Sequence, residues 1–136
     1  MKIDLQELCG SPVLAGALSG RTALNRLLEL TAQEPASPEP VFLDFSRIEV
    51  ATASFLRESV LAFRDVIRGR RSAFYPVLAN ANDVVRDELM ELLRPRGNVL
   101  MACVISDDGT VSDAAPVGEL DPKQRLTFDL VRQHGE

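Results

Sequence analysis

The stretch Val41 to Phe63, VFLDFSRIEVATASFLRESVLAF, constrains the fold more than any other part of the chain. Val41 to Phe45 has strand character and a short polar connection after it ends in Thr52-Ala53-Ser54. An amphipathic helix comes next, in which Leu56, Val60, Phe63 and Ile67 recur at i, i+4, i+7 and i+11 and share one face. Phe42 and Leu43 are neighbours and point to opposite sides of a sheet, which predicts a central strand covered by helices on both faces. A strand-loop-helix unit of this kind belongs in a layered α/β domain. There, an Asp at the carboxyl end of the strand, here Asp44, and the helix start after it mark the usual place of function.

The remaining chain supplies partners for this unit. Residues 2–8, KIDLQEL, alternate apolar and polar at first and predict a short strand. Cys9-Gly10-Ser11-Pro12 is a turn, and Val13 to Ala17 is either a second short strand or the lead-in to a helix. Ser19 is placed to cap a helix from about 21 to 32 with Leu24, Leu27, Leu28 and Thr31 as its buried stripe. The proline-rich 33–40, QEPASPEP, is a loop. After the central helix, Gly69 among Arg68, Arg70 and Arg71 reads as a helix end, with glycine beyond it and cations near the negative pole. Ala73 to Ala79 predicts a strand, and Pro76 within it predicts an edge position or a bulge. Asn80 to Asp83 caps a third helix carrying Val85, Leu89, Leu92 and Leu93, stopped by Pro95 and Gly97. Val99 to Ile105 predicts another buried strand, and Asp107-Asp108-Gly109 a hairpin returning through Thr110 to Ser112. Asp121-Pro122-Lys123-Gln124 is a capping-box start for a helix from 122 to about 133, whose Leu126, Phe128, Leu130 and Val131 spread over a wide arc.

These elements add up to an α/β fold: a mixed, largely parallel sheet flanked by about three helices, plus a C-terminal helix. Residues 1–115 form the domain. Residues 116–136 form a linker and a helix packed on the domain or in an oligomer interface. The 136 residues fit one domain, and 46% apolar content is enough for one core. A net charge of −5 argues against direct nucleic-acid binding, although thirteen of the fifteen basic residues are Arg. Cys9 and Cys103 have no metal or redox spacing and read as buried thiols in a reducing cytoplasm. Met-Lys-Ile-Asp lacks the apolar core of a signal peptide, and no apolar run approaches the roughly 20 residues of a membrane span, so a cytoplasmic protein with no membrane contact is expected.

Catalysis finds little support. The one histidine, His134, lies near the last residue. Gly16 to Arg21 lacks the spacing and the Lys of a phosphate loop, and Asp107 with Asp108 reads as turn chemistry. No catalytic, cofactor or metal residue is assigned. The informative polar group is Thr52, Ser54, Arg57 and Glu58 at the start of the central helix. Free N–H groups and a positive dipole end there make a hydroxyl at Thr52 or Ser54 a simple cap, a site of phosphorylation or part of an anion-meeting surface. Arg57, Leu61, Arg64 and Arg68 recur at i, i+4, i+7 and i+11. They predict either an Arg-rich partner-binding face or a solvated face with one stray Leu.

The segment LDFSRIEVATASFL resembles the central motif of STAS domains, the fold of anti-sigma factor antagonists. It is most similar to a STAS-like group with a DFSGV segment followed by a Ser-Phe pair. Asp44 and Ser46 match the family's LDLS, with Arg47 where Gly is usual. Thr52 falls on the motif Asp, Ala53 on the phosphorylated Ser and Ser54 on the Ser after it, while Phe55 and Arg57 replace glycines around Leu56. The resemblance implies a non-enzymatic module of a bacterial signalling or transcription-control pathway without the usual phosphoacceptor. Its implied partner is a histidine-kinase-like ATPase or an anti-sigma factor facing the start of the motif helix; taken with the Arg/Leu stripe, this makes Asp44, Thr52, Ser54, Arg57, Glu58, Leu61 and Arg64 the candidate contact residues. Two further readings stay open: a small-ligand or nucleotide sensor using the helix start near residue 54, and a homodimeric structural module. The stretch from Leu120 also resembles the opening helix of winged-helix DNA-binding domains.

Overall fold

A computed structural model of the chain describes residues 1–96 and 99–118. The helix expected from 122, Gly97 and His134 lie outside the described residues. The strands are β1 (Lys2–Asp4), β2 (Val13–Leu14), β3 (Glu39–Asp44), β4 (Val50–Ala51), β5 (Phe74–Ala79), β6 (Val99–Ile105) and β7 (Val111–Gly118). The helices are α1 (Leu5–Cys9), α2 (Ala17–Leu30), α3 (Ala53–Leu56), α4 (Ala62–Gly69) and α5 (Asp83–Leu93). A π-helical turn, Arg57–Leu61, joins α3 to α4, and a 3₁₀ turn, Arg94–Arg96, comes after α5.

Among the described residues, five strands form the main sheet in the order β1-β3-β5-β6-β7. The first three pairings are parallel and β6–β7 is antiparallel. The expected α/β architecture with a largely parallel sheet is therefore present, and β3 is an interior strand, between β1 and β5, as its apolar run requires. Each parallel crossover steps one strand further in the same direction. Because such crossovers are right-handed, this order puts all their helices on one face. The core agrees: Ile3, Val41, Leu43, Phe74, Leu78, Leu100, Ala102 and Val117 share one buried cluster with the apolar residues of the helices. The other face carries a smaller cluster to which, among the described residues, strands contribute: Val77, Ala79 and Cys103, with Phe42, Met101 and Ile105 half-buried against them. Among the described residues, helices lie on one face of β3, and the C-terminal helix expected in the sequence lies outside them. Val41 and Leu43 meet helices; Phe42 meets neighbouring strands.

Local chemistry accounts for the other departures. The strand expected over 2–8 stops at Asp4, whose carboxylate accepts the N–H groups of Gln6 and Glu7 and caps α1, with Gly10 closing that helix in the left-handed region. Val13–Leu14 does form a strand, paired in parallel with Val50–Ala51 in a separate two-stranded sheet. α2 begins four residues earlier than expected, at Ala17 after Gly16, so Ser19 lies inside it. Its buried stripe is Gly20, Ala23, Leu27 and the terminal Thr31, with Leu24 and Leu28 only partly covered. Pro76 does not mark an edge, since β5 lies between β3 and β6. The ladder to β6 begins only at Val77, which leaves the proline outside it. At the end of α4, Gly69 is the last helical residue, and the left-handed position falls on Arg71. The Asp107-Asp108-Gly109 turn links β6 to β7 as expected, with the Asp108 carboxyl held down at about 2 by Ser106 and Thr110. β7 is longer than Thr110 to Ser112.

Candidate functional site at the start of the central helix

Thr52 is the N-cap of α3, and the two-stranded sheet places it there: its own N–H reaches the Leu14 carbonyl at 2.9 Å. Its Oγ1 accepts the Phe55 N–H at 3.3 Å and, across the chain, the Gly16 N–H at 3.1 Å. One hydroxyl thus caps α3 and ties it to the start of α2. The same oxygen lies 3.2 Å from Ser54 Oγ. A hydroxyl oxygen has two acceptor positions. With N–H groups from Phe55 and Gly16 on this oxygen, its own proton is the one best placed to bridge to Ser54 Oγ, although either hydroxyl can donate in that contact. Glu58, half-buried, lies 3.6 Å from Arg21 Nε and 3.7 Å from Arg57 Nε, so a carboxylate links the start of α2 to the π turn. These pairs are partly exposed and contribute little to stability. Their consequence is positional: Arg21 and Arg57 converge on one place, beside a helix start.

The expected partner face does not extend along the helix. Leu61 is 2% exposed and Arg64 6%, so the Arg/Leu stripe from 57 to 68 is not one exposed surface. The reason is the π turn. Ala62 donates its N–H to Arg57, five residues back, so the turn holds an extra residue and rotates the positions after it relative to a 3.6-residue repeat. Phe55, Leu56, Ser59, Val60 and Leu61 are all buried around it. Ser59 Oγ donates to the Phe55 carbonyl at 2.7 Å. Gly20 of α2 lies against that carbonyl so closely that a Cβ built on it would sit 2.7 Å from the oxygen. The guanidinium of Arg64 points inward, where Nη1 donates to the Val99 carbonyl at 3.4 Å, Nη2 pairs with Asp65 at 3.2 Å and Nε has no partner among the described residues.

Asp44 belongs to a different set of groups. It is 4% exposed, and its Oδ1 accepts the Ser46 N–H at 3.0 Å and Asn80 Nδ2 at 3.1 Å, while Oδ2 lies 3.6 Å from Lys2 Nζ. Burial pushes this carboxyl up, but the hydrogen bonds from Ser46 and Asn80, with the Lys2 charge, outweigh it and hold the group below its ordinary value. Asn80 takes a positive φ of 58° and accepts the Ile105 N–H at 2.9 Å, so Asp44 and Asn80 clasp the carboxyl ends of β3, β5 and β6. This is a structural clasp. The nearby Cys103 thiol is pushed up by burial and by the Asp44 charge.

The structure adds residues that the sequence pattern does not single out. Val13 and Val50, paired in the small sheet, and Leu18, in the first turn of α2, are exposed apolar side chains next to the Thr52 cap. Leu18 is the extreme case at 77% exposure. Asn82, the cap of α5, donates to the carbonyls of Ile48 and Glu49 and so ties the start of α5 to the connection before β4. The signal for Leu18 is an apolar residue two positions before Gly20, but a helix starting at 21 places it in a loop. A separate cavity of about 140 Å³ lies between α1 and α2, lined by Leu8, Cys9, Ser19, Thr22, Ala23 and Arg26. Among the described residues, no three His, Cys, Asp or Glu side chains are grouped to hold a metal ion, and no helix is long and apolar enough to cross a membrane. Comparison of the chain with protein-family models, with curated proteins and with solved structures returns no match.

Proposed function

We propose that this chain is a non-enzymatic, protein-binding module of the STAS-like type in a bacterial signalling or transcription-control pathway. Its contact surface is the start of α3 together with the β2–β4 pair and the first turn of α2. The observation that supports this reading is the make-up of that surface. Val13, Leu18 and Val50 are exposed on the segments that the β2–β4 pairing and the Gly16–Thr52 hydrogen bond hold at the start of α3, where Arg21 and Arg57 meet Glu58 and the Thr52 and Ser54 hydroxyls lie 3.2 Å apart. Apolar side chains with arginine and a polar rim are the composition of a protein interface. The proposed contact residues are therefore Thr52, Ser54, Arg57 and Glu58 from the motif, with Leu18, Val13 and Val50 added. Leu61, Arg64 and Asp44 serve the fold. The resemblance implies a histidine-kinase-like ATPase or an anti-sigma factor as the partner. With Ala53 at the motif's phosphoacceptor position, constitutive docking fits better than a phosphorylation switch.

The test is a double variant, Leu18→Asp with Arg57→Glu, both at exposed positions. A partner that co-purifies from cytoplasm with the parent protein is expected to be lost with the double variant. It should be kept by Val66→Lys, an exposed change on α4. Interface anchors commonly contribute 2 kcal/mol or more, so affinity should fall by about 30-fold or more. A partner that binds the double variant as tightly as the parent rules this surface out.

A further inference from the structure

The second face of the main sheet, the one that the crossovers leave free, is apolar across three strands. Phe42 of β3, Val77 and Ala79 of β5, and Met101, Cys103 and Ile105 of β6 lie on it, and the described helices all contribute to the other cluster. Three strands span roughly 10 Å from first to last. A largely parallel sheet is ordinarily covered on both sides. We infer that this face is a docking surface whose occupant is the chain's own stretch from residue 119 to residue 136.

Three observations choose that occupant. The first is position. β7 ends at Gly118 opposite Val99, one strand away from the apolar face, and Gly118 has a φ of 111° that lets the backbone turn sharply there. The second is that the opposite side is already taken. Met90 of α5 packs against the main core, and its sulfur accepts the Gly118 N–H at 3.0 Å, so the free side of the sheet's end is the second face. The third is length and composition. Eighteen residues come after Gly118, and they begin with the capping-box sequence Asp121-Pro122-Lys123-Gln124 and carry Leu126, Leu130 and Val131 at helical spacing, with Arg125 and Arg132 as the flanking cations. Twelve helical residues reach about 18 Å, enough to cross the three strands after a connection of ordinary length. This inference is independent of the partner surface proposed above, which lies at the start of α3.

Cys103 reports on the face directly, and Cys9→Ser leaves it as the single thiol. In the full chain at low concentration, Cys103 alkylation is expected to be slow relative to the denatured protein. It should accelerate by about tenfold or more in Leu126→Asp/Leu130→Asp, as uncovering a protected site requires, and stay unchanged in Arg125→Ala/Arg132→Ala. A second measurement does not depend on disrupting anything. In Cys9→Ser/Leu130→Cys, mild oxidation should give a disulfide to Cys103 within one chain, and Cys9→Ser/Arg132→Cys should not. Free reactivity of Cys103 in the parent overturns the inference. So does protection that appears only as protein concentration rises, or a disulfide formed only between chains, either of which assigns the face to a second copy.

Discussion

Gly20→Ala and Gly69→Ala make the same change in two helices of this chain and are expected to act in opposite directions. Neither glycine has a positive φ, so backbone strain drops out of the comparison. Alanine favours a helix over glycine by up to about 1 kcal/mol at either site. At Gly69 a Cβ meets nothing within 4 Å, so a gain of about 0.5 kcal/mol is expected there, near the helix end. At Gly20 a Cβ would meet the Phe55 carbonyl oxygen at 2.7 Å, the Glu58 Cβ at 3.0 Å and the Phe55 Cα at 3.3 Å. The obstacle is backbone, and it is fixed by the π turn and by the Ser59 hydrogen bond to that same carbonyl. Overpacking of this kind costs about 2–3 kcal/mol toward its upper range, and the propensity gain leaves a net loss of about 1–2 kcal/mol. Urea denaturation monitored by circular dichroism should then place the Gly20→Ala midpoint about 0.5–1 M below the parent and the Gly69→Ala midpoint slightly above it. If Gly20→Ala is as stable as the parent, the close seating of α2 on the π turn is wrong, and with it the explanation for the loss of the Arg/Leu stripe.

The other expectations rest on single side chains. Leu61→Ala should lose about 2–5 kcal/mol because Leu61 is buried, while Arg57→Ala should change stability by under about 0.5 kcal/mol; equal effects in urea titrations would restore the uninterrupted helix register. Thr52→Ala removes the acceptor for both Phe55 and Gly16 and should cost about 1–2 kcal/mol, with Thr52→Ser recovering most of it in the same titration. Asp44 binds its proton less readily folded than unfolded. Its contribution is therefore present above the unfolded value of about 4 and is lost as pH falls through the lower folded value. The stability difference between parent and Asp44→Asn should accordingly be largest near neutrality and shrink in acid; a difference independent of pH would show that the carboxylate charge is not what the clasp uses.

The central unit is legible because its information is local. Val41 to Phe45 is a short apolar run bounded by turn residues, Thr52 is an ordinary N-cap residue, and Asn82 with Val85, Leu89 and Leu93 spells out α5 in capping and periodicity alone. The parallel pairing of β3 and β5 is legible too, since a helix-length connection between apolar strands allows little else. Where the chain departs from its pattern, a more specific contact decides. Asp4 turns the end of an apparent strand into a cap, and Pro76 enters an interior strand because β6 begins its pairing one residue later.

The candidate site divides along the same line. Sequence alone determined that a hydroxyl-bearing helix start comes after a central strand, and that Ala53 stands between Thr52 and Ser54. Only the tertiary structure decided which neighbours surround it. The pattern of apolar residues from 56 to 67 fits a regular helix, and nothing in it signals an extra residue at 57–61, because a π turn depends on what packs against it. Here that is Gly20, far earlier in the chain, pressed onto the Phe55 carbonyl. The turn buries Leu61 and Arg64, and the exposed apolar positions fall instead to Leu18, Val13 and Val50, which are brought beside Thr52 by the Gly16 hydrogen bond and the β2–β4 pairing. Secondary structure arises from short-range chemistry that a sequence carries on its face. The composition of a surface is set by contacts between distant segments, and it is known only when those segments have met.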